Sequence, residues 1–255
     1  MEINQKVVLI TGASEGIGAA CVQVFRQRGA LLSLTARSQS KLEKLAAGQA
    51  LVTAGDLTDP ATRERIIQST LDRYGRIDIL INNAGLGLYA PTVQAPFNEV
   101  RSLFELNLFA PLAMIQLATP HMKKQRSGAI VNVGSIAGKL TLPWMTLYSV
   151  SKYAIGSLGD GLRMELKKDG IQVLTVCPGY VQTAFQSNAL GGKAPASIAR
   201  SRRFAITAEQ CAEAIARGIE RNARTVVTPR IGWLFIAAAR LFPGIVDAQL
   251  EKLQS

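Results

Sequence analysis

Tyr148 and Lys152 lie four residues apart, and Ser135 precedes the tyrosine by thirteen positions. Residues at i and i+4 share one face of a helix, so this spacing places a phenol beside an ammonium group. A neighbouring positive charge favours the phenolate, and we expect it to lower the tyrosine pKa from its usual value of about 10. The pair therefore predicts general acid–base chemistry by the tyrosine. Taken singly, Ser135 could instead cap a helix and Tyr148 could be a core residue.

A glycine-rich turn near the start of the chain predicts a nucleotide-binding site. Residues 6–11 form a short apolar run typical of a buried parallel strand, and a helical pattern follows the turn to about Arg28. A strand, a glycine turn and a helix in this order can hold a pyrophosphate, because the start of the helix offers free N–H groups. The alternative is a glycine turn that binds no ligand. The candidate residues of the turn are Gly12, Ser14, Glu15, Gly16, Ile17 and Gly18.

The second apolar run, residues 31–36, indicates which dinucleotide is bound. At its end, where an acidic residue would bind the ribose 2′-hydroxyl of NAD, the chain has Ala36, followed by Arg37 and Ser38. An arginine fork suits the oxygen atoms of a 2′-phosphate in geometry and charge. We therefore expect Arg37 and Ser38 to contact the cofactor, and NADP(H) to be preferred over NAD(H). Arg37 could alternatively be an ordinary solvated loop residue.

The elements that must position these residues form a regular alternation. Short apolar runs alternate with stretches of helical spacing, such as 59–74 and 146–168. This alternation predicts an α/β fold of the Rossmann type, which is a doubly wound parallel sheet of about seven strands with helices on both faces. Because the sequence has no long linker and no repeat, we expect residues 1–255 to form one domain. The apolar runs are 7–11, 31–36, 50–53, 77–81, 129–133, 171–176 and 225–228.

Taken together, these motifs resemble those of the short-chain dehydrogenase/reductase family. The likeness extends from about residue 6 to about residue 228. Each motif alone is weak, whereas their joint occurrence in this order is specific. The resemblance implies an NAD(P)-dependent oxidoreductase that interconverts a carbonyl and a hydroxyl group. The four motifs are Thr11 to Gly18, Asn82-Asn83-Ala84-Gly85, Ser135 with Tyr148 and Lys152, and Pro178-Gly179.

The resemblance also implies a role for each site residue. Tyr148 would be the general acid in reduction and the base in oxidation, and Ser135 would hold the substrate oxygen. Lys152 would lower the Tyr148 pKa and bind the nicotinamide ribose. Asn107 would hold a water molecule through its main chain, as part of a proton relay. The further residues expected at the cofactor are Asp56, Leu57, Asn83, Ala84, Gly85, Tyr148, Lys152, Pro178, Gly179, Val181 and Thr183.

Composition limits the binding partners and the cellular compartment that we expect for this protein. The formal net charge is +11, with part of the basic excess in residues 193–230. Because no aromatic binding platform accompanies this charge, we do not expect it to bind nucleic acid. It could instead steer anionic partners, and NADP, acyl-CoA, an acidic carrier protein and an anionic membrane are the candidates. The three cysteines are widely spaced and His121 is the only histidine, so we expect no metal site and free thiols in a reducing, cytoplasmic compartment. No signal-like segment precedes the first strand, and secretion is not expected.

The substrate is expected to be a hydrophobic ketone or alcohol. Leu86, Leu88 and Tyr89, with residues 142–145 just before Tyr148, suggest an apolar pocket wall, although ordinary core packing would use the same residue types. Residues 183–206 contain glycines and several small residues, and this composition predicts a mobile lid over the substrate.

Residues 230–255 predict an apolar C-terminal extension. Its uninterrupted apolar part before Arg240 is too short to span a bilayer. Packing on the pocket or on a second subunit is favoured over peripheral membrane contact, which stays an alternative. The family usually forms dimers or tetramers, so the resemblance implies a homodimer or homotetramer.

Two other functions remain open. A 3-oxoacyl reductase acting on a carrier-protein or CoA thioester could use Lys123, Lys124 and Arg126, a basic cluster before the fifth strand, although a solvated helix end explains the cluster better. A non-catalytic NADP-binding sensor or scaffold would keep the fold without turnover. The presence of serine, tyrosine and lysine at the motif positions is unfavourable to this last hypothesis.

Overall fold

The computed structural model describes residues 1–192 and 204–251 of the 255-residue chain. The strands of this part form one seven-stranded sheet in the order β3-β2-β1-β4-β5-β6-β7, and every strand pair is parallel. The predicted doubly wound sheet is therefore confirmed. The strands are β1 Val7–Thr11, β2 Leu31–Thr35, β3 Ala50–Val52, β4 Ile79–Asn82, β5 Gly128–Val133, β6 Ile171–Pro178 and β7 Thr225–Thr228.

Helices cover both faces of the sheet. A five-residue π-helical turn, Glu105–Phe109, joins α4 to α5. Helix ends follow local sequence signals: Asp59 caps α3 by accepting bonds from the N–H groups of Ala61 and Thr62, and Gly75 ends the helix in the left-handed region. The helices are α1 Gly16–Gln27, α2 Gln39–Ala46, α3 Pro60–Tyr74, α4 Phe97–Phe104, α5 Ala110–Gln125, α6 Thr146–Glu165, α7 Ala208–Glu220, α8 Gly232–Leu241 and α9 Pro243–Glu251.

The core lies in two layers, one on each face of the sheet. Along β1, Val8 and Ile10 pack in the layer that contains α1 and α7, whereas Leu9 packs in the layer that contains α3 and α5. Successive strand side chains point to opposite faces, and both faces are covered here. The strands therefore appear in the sequence as continuous apolar runs.

Polar side chains replace apolar ones where the central strands end. Thr11 pairs with Thr35 in register, and Asn82, Asn132 and Thr175 occupy one row across β4, β5 and β6. All five residues are buried, and the Asn82 amide donates to the Asn132 side-chain oxygen at 3.1 Å. The strand order reverses beside β1, and in such sheets a ligand crevice lies beyond the carboxyl ends of the strands at this reversal.

The apolar C-terminal extension is helical over its described part, residues 230–251. Helix α8 packs through Gly232 and Ile236 against the end of the sheet, near Val227 and Cys177. Helix α9 follows at an angle of 113°. Several large apolar side chains of the pair stay exposed: Trp233, Leu234, Leu241, Phe242 and Ile245. Packing thus accounts for one face of the extension only.

Within the described ranges, one helical run is long and apolar enough to cross a membrane by length and composition. This run is Phe97–Gln125, and α8 with α9 would pass the same criterion if they formed one bent span. In the structure the run packs on the sheet through buried residues such as Met114 and Ile115.

Candidate active site

A cavity of about 1480 Å³ opens at the carboxyl ends of the strands. Its volume exceeds the range of about 300–1,000 Å³ usual for small-ligand pockets, so it has room for a dinucleotide and a second molecule. The sequence-predicted residues that line it are Gly12, Ser14, Glu15, Gly16, Ile17, Arg37, Ser38, Asp56, Leu57, Asn83, Ala84, Gly85, Ser135, Tyr148, Lys152, Pro178, Gly179, Val181 and Thr183. Gly18 and Asn107 are not part of this lining.

The glycine turn between β1 and α1 has no room for a side chain at Gly12 or Gly18. Gly12 has φ +63°, and a Cβ there would lie 2.8 Å from the Ala84 Cα atom. A Cβ on Gly18 would lie 2.1 Å from the Gly12 carbonyl oxygen. Gly18 was expected at the cofactor, but the structure buries it beneath the turn. It acts on the site indirectly, because it lets the first turn of α1 approach the end of β1.

Asn83 and Thr11 hold the floor of the cavity together. The Asn83 amide donates to the carbonyl oxygens of Thr11 at 2.9 Å and Gly12 at 3.1 Å. In return, the Thr11 hydroxyl oxygen accepts bonds from the N–H groups of Asn83 and Ala84 at 3.0 and 3.1 Å. These bonds connect the ends of β1 and β4 and keep the glycine turn open toward the cavity.

The part of the cavity near the ends of β2 and β3 is polar and contains both positive and negative side chains. Arg37 is exposed at the end of β2, and Lys41, in the first turn of α2, forms an ion pair with Glu15. Lys41 lines the cavity and was missed from the sequence. The available signal was a basic residue in the first turn of the helix that begins just after Arg37 and Ser38. Asp56 accepts bonds from the Thr58 N–H and hydroxyl groups, both at 2.9 Å, and so shapes the loop after β3.

Tyr148 and Lys152 lie on one face of α6, as their spacing predicts, and both are 6% exposed. The Lys152 Nζ atom is 5.7 Å from the Tyr148 ring centroid and donates to the Val133 carbonyl oxygen at 3.0 Å. Ser135 follows β5, and its hydroxyl oxygen accepts a bond from the Ala137 N–H at 3.1 Å. Gly138 lets this turn approach α6, because a Cβ there would lie 2.4 Å from the Lys152 carbonyl oxygen.

The direction of the tyrosine pKa shift differs from the sequence expectation. Burial raises the pKa of Tyr148, and the protein group that lowers it is the Ser135 side chain, through a hydrogen bond. Burial also lowers the pKa of Lys152 to about 8. The Lys152 ammonium group lies 5.7 Å from the Tyr148 ring centroid and bonds to the Val133 carbonyl, and burial outweighs the effect of its charge on the tyrosine pKa. Tyr148 is therefore a neutral phenol at neutral pH, which is the form that can donate a proton.

Asn107 lies in the π-helical turn and is 1% exposed. Its side-chain NH₂ group donates to the Leu86 carbonyl oxygen at 2.9 Å and to the Ser151 hydroxyl at 3.0 Å, while its side-chain oxygen accepts from the Leu86 N–H at 2.8 Å. The side chain therefore joins α6 to the segment after β4. A Cβ on Gly85 would lie 3.1 Å from the Asn107 side-chain oxygen and 3.4 Å from the Lys152 Nζ atom. Asn107 thus positions the residues around Lys152 without lining the cavity itself.

Tyr148 belongs to a cluster of packed apolar residues. The Phe185 ring lies 5.8 Å from the Tyr148 ring, centroid to centroid. Leu88, expected in the pocket wall, is instead a core residue, because its main chain pairs with Leu190. The lining includes the other expected wall residues, namely Leu86, Tyr89, Leu142, Pro143, Trp144 and Met145. It also includes Phe185 and Phe204 of the predicted lid and Ile231 and Phe235 of the C-terminal extension, together with Ile136, which was missed from the sequence.

The predicted lid, residues 183–206, is described only in part. Leu190 exchanges main-chain bonds with residues 87 and 89: its N–H donates to the Gly87 carbonyl at 2.9 Å, and its carbonyl accepts from the Tyr89 N–H at 3.0 Å. The other end of the segment is held by pairing of Val181 with Ile206. Residues 193–203 lie outside the described residues, and the mobility of the lid stays a prediction.

The basic cluster Lys123, Lys124 and Arg126 lies far from this cavity. The cluster precedes β5, whereas Ser135 follows the other end of that strand, and a six-residue strand is about 20 Å long. Lys123 forms an ion pair with Asp169 at 3.0 Å. None of the three residues lines the cavity. A carrier docked on them would therefore not stand at the cavity mouth of the same chain.

Comparisons with known proteins agree with the site. A family model described as short chain dehydrogenase matches residues 6–193. The chain is 32% identical to the dehydrogenase/reductase SDR family protein 7-like of Anopheles gambiae, over 99% of this chain and 86% of that protein. It is 31% identical to the ketoacyl reductase HetN of Nostoc sp., over 96% of this chain and 88% of that protein.

Solved structures show the same architecture with either cofactor. A short chain dehydrogenase from Burkholderia cenocepacia in complex with NADP has a TM-score of 0.83 and 27% identity, and the match covers 98% of this chain and 99% of that one. A short chain dehydrogenase/reductase from Burkholderia phymatum in complex with NAD has a TM-score of 0.84 and 25% identity, with coverage of 98% and 96%. Similar proteins thus bind NADP in some cases and NAD in others.

The matched region contains the glycine turn, the Asn-Asn-Ala-Gly segment and the serine, tyrosine and lysine that meet in the cavity. Sequence likeness, sheet order and site geometry therefore agree. The chain belongs to the short-chain dehydrogenase family of NAD(P)-dependent oxidoreductases.

Proposed function

We propose that the protein uses NADP(H) to interconvert a carbonyl and a hydroxyl group on a hydrophobic small molecule. The observation that carries this proposal is that Ser135, Tyr148 and Lys152 line the same cavity as the glycine turn, beside an apolar wall. A polar donor pair facing apolar side chains suits an oxygen atom on an otherwise apolar substrate.

The residues present fit a dinucleotide. Gly12, Gly16 and the start of α1 would hold the pyrophosphate, since a side chain at Gly12 would collide with the cavity floor and the first-turn N–H groups of α1 lie beside the cavity. Arg37 and Ser38 would hold the adenosine end, and Lys152 and Thr183 the nicotinamide end. When bound, the nicotinamide ring supplies or accepts the hydride.

The protein's own groups perform the proton chemistry. In reduction, Tyr148 donates the proton of its phenol to the substrate carbonyl oxygen, and Ser135 donates a second hydrogen bond to that oxygen and orients it. The tyrosinate that forms is stabilised by the nearby Lys152 ammonium group. Asn107 holds the main chain around Lys152 in place through its bonds to Leu86 and Ser151.

The preference for NADP(H) is part of the proposal and rests on the end of β2. Ala36 stands where an acidic side chain would bind a 2′-hydroxyl and would repel a 2′-phosphate, and Arg37 follows it at the cavity edge. An exposed arginine at this place is free to form a bidentate contact with a phosphate group.

An assay with two cofactors and a substrate panel tests this proposal. Oxidation of NADPH and NADH is followed with aliphatic, aromatic, steroidal and acyl-thioester ketones, for the wild type and for Arg37→Ala. We expect turnover of hydrophobic ketones with an affinity for NADPH at least about tenfold higher than for NADH, and a loss of most of that difference in the variant. Equal affinity of the wild type for both cofactors would contradict the role of Arg37 in binding a 2′-phosphate. Absence of turnover with every ketone of the panel would contradict the proposed carbonyl reduction.

The rate of reduction should fall as the pH rises through about 8, because burial lowers the Lys152 pKa to that value. Below it Lys152 is charged and supports the tyrosinate that forms, and above it this support is lost. The Tyr148 pKa is raised, so the phenol keeps its proton over the same range and does not cause the decrease. A profile of kcat/KM for reduction should be flat on the acid side and fall about tenfold per unit above pH 8. A flat profile to pH 9.5 would contradict this assignment.

A 3-oxoacyl reductase is the second candidate. A relative named as a ketoacyl reductase matches 96% of the chain, and this observation keeps the hypothesis open. The distance of the basic cluster from the cavity does not support carrier docking beside the same active site. Turnover of acetoacetyl thioesters in the panel at rates above those for free ketones would favour this function.

We also propose a cytoplasmic homo-oligomer. Cys21, Cys177 and Cys211 are free and buried, as expected in a reducing compartment. Exposed apolar side chains on α4 and α6, such as Phe97 and Val150, are suitable for contact with a second copy. Light scattering on the purified chain tests the oligomer directly.

A further inference from the structure

Glu15 is an acidic residue at a place where the proposed cofactor would bring a phosphate group. It lies in the glycine turn immediately before α1, lines the cavity, and its side chain is 43% exposed. Gly12, Ser14, Arg37 and Ser38 line the same cavity. A carboxylate among phosphate-binding groups opposes binding, because like charges repel most strongly where water is partly excluded.

Lys41 pairs with the Glu15 carboxylate and neutralises its charge. Its ammonium group forms an ion pair with the Glu15 carboxylate, which lies 26 positions earlier in the chain, and Lys41 also lines the cavity. The pair joins the start of α1 to the first turn of α2, so it spans the opening between the glycine turn and Arg37. An exposed pair of this kind contributes little to folding stability. Its position at the edge of the cavity is therefore the more informative property.

We propose that Lys41 is a specificity-determining residue for NADP(H), because it neutralises Glu15 and adds a second positive charge beside Arg37 for the 2′-phosphate. This inference rests on the proposed preference for NADP(H). With Lys41 present, the 2′-phosphate faces two cations and a neutralised carboxylate. Without it, the phosphate faces Arg37 and an uncompensated Glu15. NAD(H) carries only a hydroxyl at this place, so its binding is much less sensitive to the pair.

Direct binding of adenosine fragments tests the inference without turnover. Dissociation constants for adenosine 2′,5′-bisphosphate and adenosine 5′-phosphate are measured by titration calorimetry for the wild type, Lys41→Met, Glu15→Gln and the double variant. We expect Lys41→Met to weaken the bisphosphate about tenfold and the monophosphate less than about twofold. Glu15→Gln should leave bisphosphate binding unchanged or stronger. The double variant should recover most of the loss, because the uncompensated carboxylate is gone.

Lys44→Met is the matched control. Lys44 lies on the same helix, is exposed, and is absent from the cavity lining, so its removal changes the net charge equally without changing the site. An equal loss in Lys44→Met and Lys41→Met would overturn the inference, since general charge would then explain both. A double variant as weak as Lys41→Met would exclude the role of Glu15.

Failure of the inference is distinguishable from failure of the proposed cofactor preference. If the wild type binds both fragments equally and Arg37→Ala changes neither, the preference itself is wrong. If the wild type prefers the bisphosphate, Arg37→Ala removes the preference and Lys41→Met does not, only the role of Lys41 is wrong.

Discussion

Tyr148→Phe is expected to lower turnover by about 10³-fold or more while changing the affinity for NADPH less than about twofold. The substitution removes only the hydroxyl that donates the proton, and general acid catalysis contributes about 10²–10⁴-fold. The phenylalanine ring still packs against Phe185, whose ring centroid is 5.8 Å from that of Tyr148, and it still lies beside Lys152. The measurement is NADPH oxidation with the best ketone of the panel, together with a fluorescence titration of NADPH binding.

Tyr153→Phe on the same helix is the control for this substitution. Tyr153 is 41% exposed, so loss of its hydroxyl should leave both turnover and cofactor affinity unchanged. Wild-type turnover by Tyr148→Phe would disprove the catalytic role of the phenol. A wild type that binds NADPH but reduces no ketone would instead favour the sensor or scaffold hypothesis.

Gly18→Ala is expected to destabilise the fold and to remove cofactor binding together. A Cβ at this position would lie 2.1 Å from the Gly12 carbonyl oxygen and 2.6 Å from the Asn83 amide nitrogen, and main-chain atoms cannot move aside cheaply. Overpacking of this kind costs about 3 kcal/mol or more and should lower Tm by about 6 °C or more. The affinity for NADPH should fall about 100-fold or more, because the glycine turn and the start of α1 are displaced together. Thermal unfolding and NADPH titration measure the two effects.

Gly161→Ala provides the matched helical control. Gly161 lies in α6, has no unusual φ, and a Cβ there would meet only the end of the Glu165 side chain at 3.9 Å. Alanine in a helix interior is favoured over glycine by about 0.5–1 kcal/mol, so Tm should rise slightly or stay the same. If Gly18→Ala behaved like this control, the close approach of α1 to the end of β1 would not be required.

Much of the fold could be predicted because the strand signals are local. All seven apolar runs correspond to strands, and the boundaries differ by a few residues at most. The run 77–81 is the least accurate, since the regular strand is Ile79–Asn82. Asp78 precedes it and uses its carboxylate to accept the Val7 N–H at 2.9 Å. The helix predicted for 146–168 is an α-helix as far as Glu165, and a 3-10 turn, Lys167–Asp169, follows it before Gly170, which has φ +73°.

The pocket wall and the basic cluster show where local signals are insufficient. Leu86 and Leu88 have the same side chain and lie two residues apart, yet only Leu86 lines the cavity. Pairing with Leu190, about a hundred residues later, decides that Leu88 is buried. The cluster at Lys123 precedes Ser135 closely in sequence. It nevertheless lies at the opposite end of the strands, because the whole of β5 separates the two.

The sequence by itself determined the chemistry of this protein: the order of strands and helices, the glycine turn, and the pairing of Tyr148 with Lys152 on one helical face. These properties depend on residues close together in the chain, where φ/ψ preferences and helical periodicity suffice. Only the tertiary structure decided that Gly18 supports the turn from beneath, that Lys41 meets Glu15, and that burial raises the Tyr148 pKa while lowering that of Lys152. Contacts between distant segments and the removal of water from charged groups arise from packing, and packing depends on the whole chain.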